Sequence, residues 1–134
     1  MPRFSIHSKT QLATCDFRLV KVAERAIQII DFKVLEGHRD KLAQDTAVAN
    51  GFSKVRWPNG MHNKLPSLAM DLAPYPIDFS NRPKAVARFY LLAGVILAVA
   101  DELKISLRWG GDWDGDWDLF DQNFNDLGHF EIRG

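Results

Sequence analysis

Apolar side chains recur at intervals of three and four positions in two parts of the chain. Around residues 16–30 this spacing predicts a helix, and Asp16 is a suitable N-cap for it. A second and longer segment, about 83–103, predicts another helix by the same pattern. Between them, "HRDKLAQDTAVANG" predicts a helix that ends at Asn50-Gly51.

Alternation of apolar and less apolar positions predicts strands in "FKVLEG", "SLAMDLA", "ISLRW" and "HFEIR". In the last of these, Phe130 and Ile132 occupy one face, and His129 and Glu131 occupy the other. The stretch before it is predicted to be irregular, with a Leu-Gly turn after Asp126. Because helices and strands follow one another without a βαβ rhythm, we predict an α+β fold with a mostly antiparallel sheet packed with helices.

Length and composition predict a single domain, residues 1–134. The chain has 134 residues, of which 46% are hydrophobic and 25% are charged, as is typical of globular proteins. The longest apolar run, 89–100, is too short to span a bilayer, so we predict a buried helix and no stable membrane insertion. The N-terminus lacks the apolar core of a signal peptide, so we expect the protein to accumulate in the cytoplasm.

The net charge is zero, but the charges are unevenly distributed. Residues 1–66 carry eleven Lys/Arg and six Asp/Glu, and residues 67–134 carry six and eleven. Nucleic-acid binding needs a concentrated basic face, so we expect no nucleic-acid partner. We also predict that the protein is a monomer.

Cys15 is the one cysteine, which excludes an internal disulfide. We predict that Cys15 is a buried apolar residue rather than a nucleophile.

Two of the four histidines, His62 and His129, lie near carboxylates with which they could bind a metal ion. His62 lies in a Gly/Pro-rich loop that leads into the strand bearing Asp71. A half-buried carboxylate needs a partner, so Asp71 pairs either with an arginine or with a metal ion. His129 begins the last strand, with Asp126 a few residues earlier. Two imidazoles and one carboxylate form a known catalytic zinc set, and Asp126 is close enough to act as its acid/base.

Several ordered motifs carry a family resemblance that extends over about residues 12–133. "EGHRDKLAQ", "GMHNKLPSLAMDLAPYP" and "LRWGGDWDGDWDLFDQNFNDLGHFEI" are similar to segments of the zinc D-alanyl-D-alanine-carboxypeptidase-like metallopeptidases. Within them the chain most resembles the L-alanyl-D-glutamate endopeptidase branch found among phage endolysins. The resemblance implies a Hedgehog/DD-peptidase-like fold and hydrolysis of the stem peptides of peptidoglycan.

The resemblance also implies roles for individual residues. It implies one Zn²⁺ ion, held by His62, Asp71 and His129. Asp126 falls on the catalytic acid/base, and Arg39 falls on the arginine that binds substrate and stabilises charge on the scissile carbonyl. Glu131 corresponds to a residue beside the metal that orients a ligand or contacts substrate. Gln44 lies on the same segment as Arg39 and is expected to be structural.

The chain departs from the family pattern at two points. The spacing of nine residues between His62 and Asp71 is longer than the resemblance leads us to expect. Gly60 stands where the family tends to have a serine, which removes one hydrogen-bonding side chain near the site. Neither departure removes a proposed ligand or the acid/base.

Two other functions fit the same sequence. The first is a D-alanyl-D-alanine carboxypeptidase, which uses related chemistry on a neighbouring bond. The shape of the substrate groove decides which bond is cut, and the sequence does not define that shape. A non-catalytic cell-wall-binding or virion structural module would use the fold without Asp126. For the endolysin we expect residence in the host cytoplasm before release to the cell wall, and a virion location is the alternative.

Residues 112–126 hold six aspartates and no lysine or arginine. Carboxylates at alternate positions suit calcium, but the stretch lacks the full EF-hand pattern, so a solvated loop beside the cleft is the competing interpretation. Trp109, Trp113 and Trp117 could form a glycan-binding surface or seal the edge of the core.

Overall fold

The chain forms four helices and four strands within residues 2–116 and 126–134, which the computed structural model describes. The helices are α1 (Ile6–Leu12), α2 (Phe17–Ala26), α3 (Lys41–Ala49) and α4 (Pro83–Glu102). The strands are β1 (Phe32–Glu36), β2 (Ala69–Pro74), β3 (Leu107–Gly110) and β4 (Asp126–Ile132). A short 3₁₀ turn, Met61–Asn63, precedes β2.

The strands form one sheet in the order β1-β2-β4-β3, and every neighbouring pair is antiparallel. The prediction of an α+β fold with a mostly antiparallel sheet is therefore confirmed. Strands β2 and β4 lie at the centre of the sheet, so their backbone groups are paired on both sides.

Helices α2 and α4 cover one face of the sheet. Side chains of α4 such as Leu92 and Ile96 are buried against sheet residues that include Met70 and Phe130. One face of α4 is thus buried as predicted. The helix extends over 20 residues, however, so by length and composition alone it could cross a membrane, which the length of the apolar run had seemed to exclude. The alternation in β4 is confirmed as well, because Phe130 and Ile132 are buried in this core.

The N-terminal boundary of α2 agrees with the prediction, but its C-terminal boundary does not. The Asp16 side chain accepts a hydrogen bond from the Arg18 amide, which makes Asp16 the N-cap. The helix ends at Ala26, although Ile27 is buried and Ile30 packs against the same core. The apolar spacing overestimates the length of this helix, because residues after its last turn are also buried in the core.

Helix α1 was not predicted, because a serine occupies its buried face. Ser8 is fully buried and its hydroxyl accepts a hydrogen bond from the Val34 amide of β1. Helix α1 therefore packs on β1 through a polar contact that leaves no apolar stripe in the sequence. Ser5 supplies the N-cap, accepting from the Ser8 amide.

The predicted Leu-Gly turn after Asp126 is wrong, since β4 begins at Asp126 and runs through Leu127-Gly128 without turning. A Cβ atom on Gly128 would lie 2.3 Å from the carbonyl oxygen of Leu72 on the neighbouring strand. Glycine is therefore needed here for the close approach of two strands.

Cys15 is buried at the edge of the core, as predicted. Burial raises the pKa of its thiol to about 11, so the thiol stays protonated at neutral pH. This environment is that of a packed apolar side chain.

Candidate metal centre and cleft

The register of the two central strands brings Asp71 directly opposite His129. The neighbouring pair, Met70 and Phe130, points into the core, so Asp71 and His129 project from the opposite face of the sheet. The Oδ1 atom of Asp71 lies 3.1 Å from Nδ1 of His129. A contact between residues far apart in sequence thus follows from ordinary strand pairing.

His62 reaches the same carboxylate from the 3₁₀ turn beside the sheet. Its Nδ1 lies 2.6 Å from the carbonyl oxygen of Gly37 and donates a hydrogen to it, because a carbonyl can only accept. Its other ring nitrogen, Nε2, lies 3.1 Å from Asp71 Oδ1 and is the atom that would supply a lone pair to a bound metal ion. The unusual spacing of nine residues is absorbed by the loop containing the exposed Leu65, and it does not separate His62 from Asp71.

The structure explains why a glycine occupies position 60, where the resemblance leads us to expect a serine. The Gly60 amide donates to Oδ1 of Asn63 across 2.9 Å, and a Cβ on Gly60 would lie 2.8 Å from that same oxygen. Asn63 therefore supplies a polar side chain at this turn, and its amide group also donates to the Arg39 carbonyl.

Glu131 fixes the orientation of the His129 ring. Its Oε1 accepts from Nε2 of His129 across 2.7 Å, so Nδ1 is the nitrogen that faces Asp71 and would supply a lone pair to a bound metal ion. One ligand atom from each of three residues, His62, Asp71 and His129, lies within 4.8 Å of the other two. Two imidazole nitrogens and one carboxylate oxygen, with both rings oriented through their second nitrogen, fit a Zn²⁺ ion well.

The charges around this cluster favour a cation. Burial alone would raise the pKa of Asp71, but the two neighbouring imidazoles hold it well below its usual range. Burial alone would lower the pKa of His129, yet hydrogen bonds to Asp71 and Glu131 raise it to about 10. Burial and the Asp71 charge raise the pKa of Asp126.

Arg39 contacts the other oxygen of Asp71. Its Nη2 lies 3.4 Å from Asp71 Oδ2, and its Nε donates to Glu36 Oε1 across 2.8 Å. Both interpretations of Asp71 drawn from the sequence therefore hold geometrically, since one oxygen faces an arginine and the other faces the two histidines. The arginine side chain is only 12% exposed and keeps one edge toward the cleft.

Gln44 is a buried centre of hydrogen bonds behind Arg39. Its Oε1 accepts from Nη1 of Arg39 and from Nδ2 of Asn63, each across 3.0 Å. Its Nε2 donates to the hydroxyl of Ser53 and to the carbonyl of Val55. The expected structural role of Gln44 thus consists of holding the Arg39 guanidinium and the 53–55 loop together.

Replacing Gln44 with leucine is expected to lower the free energy of unfolding by about 3 kcal/mol. Leucine has a similar size, but it leaves several buried polar groups without this partner, each at a cost of roughly 1–3 kcal/mol. Urea unfolding measures the change. Gln28→Leu, at an exposed position, is the matched control and should change stability by less than about 0.5 kcal/mol. Equal effects in the two variants would contradict the role assigned to Gln44.

A cleft of about 590 Å³ opens over the three candidate ligands. Asp126 lines it, with an Oδ2 atom 4.0 Å from Nδ1 of His129 and a side chain that is 37% exposed. Arg39, Arg108 and Glu131 line it as well. The structure thus brings all six candidate residues from the sequence into one cleft: His62, Asp71, His129, Asp126, Arg39 and Glu131.

The tryptophans divide between the two interpretations. Trp109 is buried in the core, where its ring meets the edge of Tyr90 at 5.6 Å. Trp113 lines the cleft, with its ring 5.3 Å from that of His129. Both tryptophans belong to the motif "WGGDW", and nothing in the neighbouring sequence predicts that Trp113 lines the cleft while Trp109 is buried. Trp117 lies outside the described residues.

Three of the aspartates after β3 come close to one another. Ligand atoms of Asp112, Asp114 and Asp116 lie within 4.8 Å of each other, and Asp114 and Asp116 are exposed. Residues 117–125 of this stretch lie outside the described part of the chain. The solvated loop and the calcium site therefore both stay as alternatives.

Comparisons with known proteins agree with one another. The family model described as phage L-alanyl-D-glutamate peptidase matches residues 1–133. The L-alanyl-D-glutamate peptidase of Escherichia phage T5 is 31% identical over 138 residues, covering 97% of this chain and 97% of that protein. The crystal structure of the Serratia marcescens L-Ala D-Glu endopeptidase ChiX has the same fold, with a TM-score of 0.75. That match covers 98% of this chain and 90% of ChiX at 24% sequence identity.

Proposed function

Because this chain belongs to the phage L-alanyl-D-glutamate peptidase family, we propose that it is a zinc-dependent endopeptidase that cuts the L-alanyl–D-glutamate bond in the stem peptides of peptidoglycan. The observation that carries the zinc dependence is the convergence of two imidazole nitrogens on one oxygen of Asp71, each at 3.1 Å. The cleft above them leaves room for a peptide.

In this proposal His62, Asp71 and His129 hold the metal ion. A zinc ion bound there would polarise the scissile carbonyl and lower the pKa of a water molecule at its open position. Gly37 and Glu131 keep each imidazole turned toward the ion through its second nitrogen. Glu131 thus has the orienting role that the resemblance implies.

Asp126 is the proposed general acid/base. It lies beside His129 without a hydrogen bond to it, at 4.0 Å, and its side chain reaches the cleft. From there its carboxylate can accept a proton from the attacking water and return that proton to the leaving amine. Arg39, fixed by Glu36 and Gln44, would stabilise the negative charge that develops on the carbonyl oxygen.

The alternatives are less well supported. The family match names the alanyl–glutamate bond, which favours the endopeptidase over a D-alanyl-D-alanine carboxypeptidase. A non-catalytic wall-binding or virion module has no need of a carboxylate at Asp126 beside a complete ligand set. We further propose that the protein acts as a phage lysin on the cell wall after release from the host cytoplasm, and as a monomer.

Mass spectrometry of purified peptidoglycan digested by the zinc-loaded protein tests the proposed bond. We expect new fragments that begin with D-glutamate and matching fragments that end in L-alanine. Release of terminal D-alanine alone would assign the carboxypeptidase activity instead. No cleavage by protein that carries about one zinc ion per chain would overturn both enzyme assignments.

A further inference from the structure

The cleft combines several carboxylates with arginines that are not equally engaged. Asp71, Asp126 and Glu131 all line it. Arg39 is only 12% exposed, and hydrogen bonds to Glu36 and Gln44 fix its orientation. Arg108 differs, because its side chain is 41% exposed and its Nη1 lies 3.8 Å from Oε2 of Glu131. That separation is too long for a hydrogen bond.

Arg108 retains unused hydrogen-bonding capacity. Among the residues that the structure describes, its Nε is buried without a hydrogen-bond partner. The oxygen nearest its Nη1 belongs to Glu131, whose other oxygen is already bound to His129. Because Nε is buried, the donors available to a ligand in the cleft are the Nη groups of this partly exposed side chain, and paired guanidinium N–H groups match a carboxylate.

Arg108 also stands on the same side of the site as the proposed acid/base. On β3 it lies directly opposite Glu131, and two residues later Gly110 lies opposite Asp126 on β4. Arg39 comes from the chain that follows β1, at the other edge of the sheet. The leaving amine must lie within reach of Asp126, so the residue that carries this amine lies on the β3 side of the cleft.

The leaving residue in the proposed reaction is D-glutamate, which carries two carboxyl groups. One of them continues the stem peptide, and the other remains a carboxylate a few bonds from the scissile nitrogen. In a cleft already lined by Asp71, Asp126 and Glu131, an incoming carboxylate is repelled unless a cation meets it.

We propose that Arg108 is the substrate-binding residue that recognises the free carboxylate of D-glutamate and so selects the bond that is cut. This inference rests on the proposed function. It assigns Arg108 to substrate recognition, whereas Arg39 acts on the carbonyl group.

The experiment compares two stem peptides that contain the L-alanyl–D-glutamate bond. In one the free glutamate carboxylate is intact, and in the other it is a carboxamide. The zinc-loaded wild type is expected to cleave the carboxylate peptide with a kcat/KM about tenfold or more above that for the amide. Arg108→Gln should reduce this ratio to about one, mainly by slowing the carboxylate peptide, and Arg108→Lys should leave an intermediate ratio.

Arg82→Gln is the matched control, since Arg82 is 75% exposed and pairs with Asp78 outside the cleft. It should keep the wild-type ratio. Zinc content is measured for every variant, because Arg108 also faces Glu131, the partner of His129. If the glutamine variant does not fold, the lysine variant decides by the same ratio.

The outcomes separate this inference from the proposed function. An unchanged ratio in the Arg108 variants, or an equal loss on both peptides, would overturn the carboxylate contact while leaving the endopeptidase intact. An equal loss accompanied by lost zinc would mean that Arg108 acts through Glu131 on the metal ligand. If the wild type cleaves neither peptide, the proposed function fails and this inference fails with it.

Discussion

Asp126→Asn is expected to lower kcat by about 10²–10⁴-fold while the protein keeps its fold and its zinc. Asparagine preserves the size of the side chain but cannot accept a proton from water or deliver one to the leaving amine. Asp126 is not in hydrogen-bond contact with His129, so its replacement should not release the metal ion. Kinetics on a soluble stem peptide, together with zinc analysis of the same sample, measure both effects.

Asp101→Asn provides the matched control, because Asp101 is an exposed residue near the end of α4. It should leave kcat and zinc content unchanged within error. An Asp126→Asn protein with wild-type kcat would show that another group moves the proton. Loss of zinc in that variant would instead identify Asp126 as a metal ligand.

His129→Ala is expected to remove both the metal and the activity. Only two of the three candidate ligands, His62 and Asp71, would remain. The bound zinc should therefore fall from about one ion per chain to a small fraction. Activity should fall by about 10³-fold or more, since the metal supplies several kcal/mol of charge stabilisation. The thermal stabilisation that zinc gives the wild type should disappear as well.

Two variants define the specificity of this effect. His7→Ala changes an exposed histidine on α1 and should keep full zinc content and activity. Glu131→Gln keeps all three candidate ligands but weakens the orientation of His129, so zinc affinity should fall by only about 10–100-fold. A His129→Ala protein that still binds one zinc ion would refute the proposed ligand set.

The periodic parts of the fold were predictable from the sequence. The boundaries of β1 and α4 agree closely with their apolar patterns, because both elements bury a regular face. Helix α3 starts three residues later than predicted, at Lys41. The pattern failed where burial was not apolar or not periodic. Helix α1 was missed because the residue that it buries against β1, Ser8, is polar. Gly128 suggested a turn, but it lies within β4, where a glycine permits the close approach of β2.

The candidate site was predictable in its residues but not in its geometry. Ordered motifs identified His62, Asp71 and His129, since the chemistry of a residue type is a property of the sequence. The tautomer that each histidine needs depends on Gly37 and Glu131, and the Gly37 partner is a backbone carbonyl that no motif records. Register alone decided that Asp71 faces His129.

The sequence by itself thus predicted helices α2 to α4 and the antiparallel sheet, and its resemblance to a known family supplied the set of reactive groups. These follow from local periodicity and from side-chain chemistry, which act over a few residues. Only the tertiary structure decided that Gln44 supports Arg39 and that Arg108 stands opposite Glu131. Those contacts join residues through strand register and side-chain rotamers, which depend on how the whole chain packs.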